Sequence, residues 1–342
     1  MGGEFEIDYC AVKGLKGKLP NEFNRGKYYS SGRAALYHIL EFSKQLGKNK
    51  ILLPDFLCES IVEIVNLSEV PFEFYSVKDD FSLDLDSIKK NYSHGCQVLI
   101  INYFGGVDVQ TEINKVKNID PGASIILDNV QAFFCMFEEY DVDFMFTSFR
   151  KQLPVPDGAW VISKHLGLYD CKQENSFAQF KLAGGILKNF QKYTSVSDLL
   201  YIDLFNKGEV MISQNINAKI SDITINILSK LDFSSIKNKR VENADFLMEG
   251  LVKLGVNLLM NFNKGQVPLF VPIILKNRDA IRKELMENKI YCPIHWPRCK
   301  ETGSLNQKLY NDELSLVIDQ RYSKNEMGKL LSILTKCLNN EK

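Results

Sequence analysis

Four histidines, two tryptophans, ten prolines and eight scattered cysteines without a single CxxC make this 342-residue chain poor in several kinds of site-building residue. A zinc site needs thiolates and imidazoles at ligand spacing. The nearest cysteine pair, Cys292 and Cys299, has no such company, so no metal is expected and the thiols read as reduced. No apolar run approaches the roughly 18 residues of a membrane helix. The opening "MGGEFEIDYCAVKGLKGKLP" carries acids where a secretory leader needs a basic end and an apolar stretch. Neither sign of charge is in excess, with Lys plus Arg and Asp plus Glu at 42 each, and no basic stripe is interleaved with aromatics. Nucleic acid and an anionic membrane therefore have no electrostatic footprint here. GxGxxG and the Walker lysine motif are also missing, which argues against a dinucleotide, hence a nicotinamide dehydrogenase, and against a nucleoside triphosphate. The expectation is a cytoplasmic protein.

What is present is ordinary globular composition, 45% apolar and 25% charged, over a length that exceeds what one core usually serves. Two domains are expected, residues 1–235 and 236–342. "SGRAALYHILEFSKQLG" has Ala35, Leu36, Ile39, Phe42 and Leu46 at helical spacing and ends at Gly47. Around it, "NKILLP", "FEFYSV", "QVLIINYFG" and "ASIILD" read as strands, with helices "CESIVEIVNLS" and "LDLDSIKKNY" between them, the latter entered by an Asp cap. Continuous apolar strands alternating with helices predict an α/β core with a mainly parallel sheet sandwiched by helices. After about residue 165 long amphipathic helices take over, one pair breaking near "DFSS". "VPLFVPIIL", an Asn-capped helix "NRDAIRKELMENK" and a closing helix "SKNEMGKLLSILTKCL" predict a smaller C-terminal α+β domain.

Three features carry chemistry. In "YYSSGRAAL", Ser31 and Gly32 open a strong helix, which is either a plain N-cap or an anion site made by free N–H groups and the helix dipole. In "SIILDNVQAFF", Asp128 ends an apolar strand, where α/β sheets gather ligands. It either caps the next helix or pairs with a protonated ring nitrogen, with the Gln131 amide nearby. In "FTSFRKQLPVPDG", Lys151 comes after a strand through a Ser-x-x-Lys turn, 23 positions after Asp128. That interval holds one further strand and a connection, so both side chains can reach one sheet edge. An aldehyde cofactor with a pyridine ring and a phosphate would use all three: Lys151 for the aldehyde, Asp128 for the ring, the helix start for the phosphate.

These residues resemble the fold-type I enzymes dependent on pyridoxal 5'-phosphate (PLP), and among them the DegT/DnrJ/EryC1/StrS sugar aminotransferases. "SSGRAAL" is similar to the family's Ser-Gly-Thr-x-Ala-Leu segment, "LPDFLC" to its proline-led turn, "NYFGGVD" to its His/Asn-x-Phe-Gly-x-x-x-Asp strand end and "LDNVQA" to Glu-Asp-x-Ala-Gln-Ala. "SFRK" with "DGAWVIS" is similar to Ser-Phe-x-Lys and Gly-Gly-x-Val, and "NINAKISD" to Asn-x-Arg-Met-x-Asp. The resemblance implies a Schiff base on Lys151, Asp128 at the pyridinium with Gln131 against the ring, and a phosphate held by Ser31, Gly32 and Ser148. It implies a homodimer in which Asn217 reaches the phosphate of the neighbouring subunit. The reaction it implies carries an amino group from glutamate or glutamine to a keto sugar, nucleotide-linked.

The sequence departs from the pattern in places. Arg33 stands where the family has a phosphate-binding Thr, which adds its guanidinium to the candidates for the phosphate. Lys219 replaces an Arg, and the aromatic expected to stack on the ring falls near Cys58, leaving Phe56 or Tyr103 for that work. In "YCPIHWPRC", His295 is either part of a half-buried interface turn with Trp296 or a substrate contact. Arg321 either meets the carboxylate of the amino donor in a bidentate pair or forms a structural ion pair. Two other readings stay open: another fold-type I activity on amino acids, such as a lyase or desulfurase, and a PLP-binding regulatory protein without catalysis.

Overall fold

The computed structural model describes residues 1–8, 10, 19, 21–191, 193, 197–303 and 305–340. Seven strands, β1 (Lys27–Tyr29), β2 (Lys50–Pro54), β3 (Phe72–Tyr75), β4 (Cys96–Ile101), β5 (Ser124–Asp128), β6 (Phe144–Ser148) and β7 (Ala159–Ser163), form one sheet in the order β1-β7-β6-β5-β4-β2-β3. The strands β2 to β6 run parallel, while β7 and β1 close one edge antiparallel. Every residue of β4, β5 and β6 is buried, which is why they read as unbroken apolar runs: helices cover both faces.

The first helices are α1 (Gly32–Gln45), α2 (Glu59–Leu67), α3 (Leu85–Asn91) and α4 (Val109–Ile119). In α1 the apolar residues Ala35, Leu36, Ile39 and Phe42 bury one face, and the Ser31 hydroxyl accepts the Ala34 N–H at 3.1 Å. The expected Asp84 cap on α3 is present, accepting N–H bonds from Asp86 and Ser87. A helical pair, α5 (Ala178–Phe190) and α6 (Asp198–Met211), comes after the sheet. The expected break near "DFSS" separates α7 (Asp222–Leu228) from α8 (Phe233–Lys253), with Asp232 capping the Ser235 N–H at 2.9 Å.

A second sheet pairs β8 (Phe270–Ile274) with β9 (Glu313–Val317), antiparallel. Against it lie α9 (Arg278–Glu287), α10 (Gln307–Asp312) and α11 (Lys324–Asn340), around a separate core that includes Leu247, Val271, Leu285, Leu316 and Leu334. Residue 235 falls in the first turn of α8, whose Ile236 packs in the sheet's core and whose Leu247 and Leu251 enter the second. One local expectation is corrected: Asn277 occupies the cap position of α9 but its side chain makes no capping bond. The strand β9 escaped the sequence reading, because "ELSLV" alternates polar and apolar residues although all five are buried. Among the described residues no helix is long and apolar enough to cross a membrane.

The turn after Lys151 is anchored from below. Asp157, fully buried, accepts the Ser221 N–H at 2.8 Å, the Ser221 hydroxyl at 2.6 Å, the Asn175 amide at 2.6 Å and the Thr224 hydroxyl. Alanine here strands those donors in the interior, so Asp157→Ala is expected to lower unfolding free energy by about 3 kcal/mol. The midpoint of urea unfolding measures it, and an unchanged midpoint contradicts the anchoring role.

Candidate active site

In register, Ile101 of β4 pairs with Asp128 of β5, and Asp128 with Phe146 of β6, so the carboxyl ends of these strands open together. They face a cavity of about 620 Å³. Asp128, Gln131, Ser148 and Lys151 line it from the sheet, Ser31, Gly32 and Arg33 from the start of α1, and His295, Trp296 and Arg321 from the second unit. Another cavity, of about 340 Å³ near Asp80, Glu112 and Met260, gathers no comparable set.

Asp128 is 4% exposed and accepts the Val130 N–H at 2.7 Å. Burial pushes its carboxyl up to about 7, while the Val130 N–H and the Lys151 charge pull the other way. It has no ion-pair partner among the described residues. A carboxylate so placed is best satisfied by a cation that enters with a ligand, and a protonated aromatic nitrogen fits. Lys151 closes a single 3-10 turn, Phe149–Lys151, immediately after β6, and its side chain is exposed on the cavity wall.

Ser148, the last residue of β6, abuts the start of α1: a Cβ on Gly32 would lie 3.4 Å from Ser148 Cβ and 3.9 Å from its Oγ. The first intrahelical bond of α1 runs from the Ala35 N–H to the Ser31 carbonyl at 2.9 Å, so the Gly32 and Arg33 amides belong to the open end of the helix. A hydroxyl, a side-chain-free residue and a helix N-terminus thus converge as an anion cradle. Gln131 stands beside Asp128, its Oε1 accepting the Phe104 N–H at 2.8 Å.

The Arg33 guanidinium turns to Glu209 of α6 at 3.4 Å, joined there by Arg150 at 3.5 Å and Lys181 at 3.0 Å. Burial would raise the Glu209 carboxyl, but the Arg150 and Lys181 charges hold it down at about 2. Sequence reasoning missed this cluster; the adjacency of Arg150 to Lys151 was its one local signal.

Two expectations are corrected. Phe56 and Tyr103 do not face the cavity: both are buried, the Tyr103 hydroxyl donating to the Phe56 carbonyl at 2.6 Å, with Phe81 stacked on Tyr103 at 4.9 Å. Among the aromatics that do line the cavity is Trp296, next in the chain to His295 and 5.2 Å from the Phe56 ring, while Cys58 lines the wall without a ring to offer. Asn217, expected to act in a neighbouring subunit, is exposed and is not among the residues lining this chain's own cavity.

Arg321 forms the structural ion pair. Its Nε and Nη2 grip Asp319 at 2.8 Å each, Nη1 reaches Glu6 at 2.8 Å and the Glu4 carbonyl at 3.2 Å, and Nη2 the Gly3 carbonyl at 3.1 Å. All five N–H donors are engaged, leaving none for a donor carboxylate. Through them the segment Gly2–Phe5 is laid along the cavity, which no local pattern announced. Arg321→Ala takes away the guanidinium that grips the buried Asp319 and is expected to cost about 3 kcal/mol in denaturant unfolding; a neutral result would return Arg321 to substrate binding.

His295 is part of the cavity wall, its Nδ1 2.7 Å from the Ser315 hydroxyl. Burial, then the Lys151 charge, push its imidazolium down to about 3, so the ring is neutral near pH 7.

No family model and no curated protein sequence matches the chain. Solved structures do. The sugar aminotransferase CalS13 from Micromonospora echinospora superposes with a TM-score of 0.66 over 98% of this chain and 93% of that one, at 13% identity. The aminotransferase TlmJ from Streptoalloteichus hindustanus gives 0.69 over 98% of each chain, also at 13% identity. A NifS-like protein gives 0.62 over 98% and 97%, at 12%. At such identities the likeness is one of fold, and the fold is the fold-type I architecture expected from the sequence.

Proposed function

We propose that the chain is a PLP-dependent aminotransferase that moves an amino group from glutamate or glutamine to a keto sugar, nucleotide-linked, and that it works as a homodimer. The observation that carries this reading is the meeting of Asp128, Lys151 and the Ser31–Gly32–Ser148 cradle in one cavity. They match the three ends of PLP: a basic ring nitrogen, an aldehyde and a phosphate. When bound, PLP supplies an electron sink for the charge that develops beside the substrate nitrogen.

The chain supplies the rest. Asp128 gives a buried carboxylate that favours a protonated ring nitrogen, each charge stabilising the other. Lys151 would anchor the cofactor and, once free, would carry a proton at its Nζ as base and then acid. Ser31, Gly32 and Ser148 bind the phosphate, and the exposed Asn217 reaches the phosphate held by a second copy. Trp296 takes the part of an aromatic wall, and the CalS13 likeness supports a sugar as the acceptor. A second reading, a fold-type I activity confined to amino acids, would use the same cavity residues with another acceptor.

The test is the visible spectrum of purified protein with PLP, before and after borohydride, with the reduced adduct mapped by peptide mass. An adduct on Lys151 whose parent absorbance bleaches with glutamate or glutamine is the expected result. A screen of keto sugar nucleotides against keto acids then separates the two readings. Absence of any adduct on Lys151 would refute both.

A further inference from the structure

The strand β9 carries two polar residues that the proposed amino transfer does not use. Glu313 and Ser315 are fully buried on β9, and alternation along the strand puts them on one face with Val317, while Leu314 and Leu316 fill the second core. Their partners are each other and His295. Glu313 Oε2 accepts the His295 backbone N–H at 2.6 Å, Oε1 is 2.5 Å from the Ser315 hydroxyl, and that hydroxyl is 2.7 Å from His295 Nδ1. The chain of contacts therefore runs from a carboxyl sealed in the interior to an imidazole on the cavity wall.

We propose that Glu313, Ser315 and His295 form a proton relay in which the protonation of Glu313 decides which nitrogen of His295 bears hydrogen, with Glu313 and Ser315 as positioning residues. With Glu313 ionised, the Ser315 hydroxyl donates to the carboxylate and accepts from His295 Nδ1–H, leaving Nε2 a bare acceptor. When Nε2 takes up a proton, the Nδ1 hydrogen passes to Ser315 Oγ and the Ser315 hydrogen to Glu313. Glu313 then donates to Ser315, Ser315 donates to Nδ1, and Nε2 bears N–H. One proton enters, one O–H forms on the carboxyl, and the ring is neutral in both states.

The surroundings suit such a device. The facing strand β8, Phe270–Ile274, brings only apolar side chains. Arg278 of α9 spends its Nη1 on the Tyr310 and Glu313 carbonyls rather than on the Glu313 carboxyl. The Tyr310 hydroxyl of α10 lies on Leu57. Cys292, near in the chain to His295, has its thiol pushed up to about 12 by burial and is uncharged, and Asp312 precedes Glu313. Burial pushes the Glu313 carboxyl up to about 8 against the bonds from His295, Ser315 and the Arg278 charge, so both relay states lie near neutrality. The Lys151 charge across the cavity disfavours an imidazolium, which leaves tautomer exchange as the way for His295 to trade protons. The relay's use in catalysis rests on the proposed proton transfer at Lys151; its existence does not.

The experiment is long-range ¹H–¹⁵N spectroscopy of the PLP-free protein labelled at its four histidines, with His295 assigned by loss of its signals in His295→Asn. Between about pH 6 and pH 9 the wild-type ring is expected to stay neutral and to pass from Nε2–H to Nδ1–H around pH 8. Ser315→Ala and, separately, Glu313→Gln are expected to abolish the passage. An imidazolium forming in that range, one unchanging tautomer in the wild type, or a passage that survives in Ser315→Ala would each overturn the relay. Because no cofactor is added, failure of the aminotransferase reading leaves this result untouched.

Discussion

Replacing Lys151 by alanine is expected to abolish the borohydride-stable adduct and to lower amino transfer on the order of 10⁴-fold or more, with the fold intact. The loss is large because one side chain serves twice, first as the covalent anchor of the cofactor and afterwards as the proton carrier. The fold survives because the Lys151 side chain is exposed and the turn it closes is held by others, the Phe149 N–H donating to the Gly158 carbonyl at 3.0 Å and the Gly158 N–H to the Ser30 carbonyl at 2.7 Å. Circular dichroism and thermal unfolding of Lys151→Ala should match the wild type while donor-induced bleaching disappears. Retained turnover in a well-folded variant would sink the scheme.

Asp128→Asn is expected to do two opposite things. In the PLP-free protein it should stabilise the fold above about pH 7. The folded carboxyl is raised to about 7 from an ordinary 3.8, so between those values the folded chain holds a proton that the unfolded chain has released. Stability then falls as pH rises from about 4 to about 7 and stays lower beyond, on the order of a few kcal/mol. Asn keeps an acceptor for the Val130 N–H and removes the cost of ionisation. In the PLP-loaded protein the order should invert, since the carboxylate gains its cation, and amino transfer in Asp128→Asn should fall on the order of 10²–10³-fold. Melting curves at pH 5 and pH 8, with and without PLP, check both halves. A less stable PLP-free variant at pH 8, or full activity, would show that Asp128 is a turn former and no more.

Much of the fold was legible because its signals are local. The period of Ala35, Leu36, Ile39 and Phe42 needs only one face to bury, and α1 formed where it predicts, capped by Ser31 as its sequence suggests. The break at Asp232 was equally plain, a capping residue between two helical periods. At β9 the local signal misleads. Glu313 and Ser315 imitate the solvent face of a half-exposed strand, and only the return of residues 293–296 over that face turns it into interior.

The site divides along the same line. Sequence by itself determined that Asp128 ends an apolar strand, that Lys151 comes after the next one, and that Ser31 and Gly32 open a helix, since these are statements about neighbours along the chain. In parallel strands with one register, such ends meet on one edge. Tertiary structure alone decided which side chains have partners. Arg321 is consumed by Asp319, Glu6 and the Gly3–Glu4 backbone because the chain's first residues lie across it. Phe56 and Tyr103 are withdrawn into the core while Trp296 faces the cavity, because where the backbone places an aromatic side chain, and not its type, decides which surface it meets. A residue's type states what it can bind; contacts between residues distant in sequence determine whether that capacity is already spent.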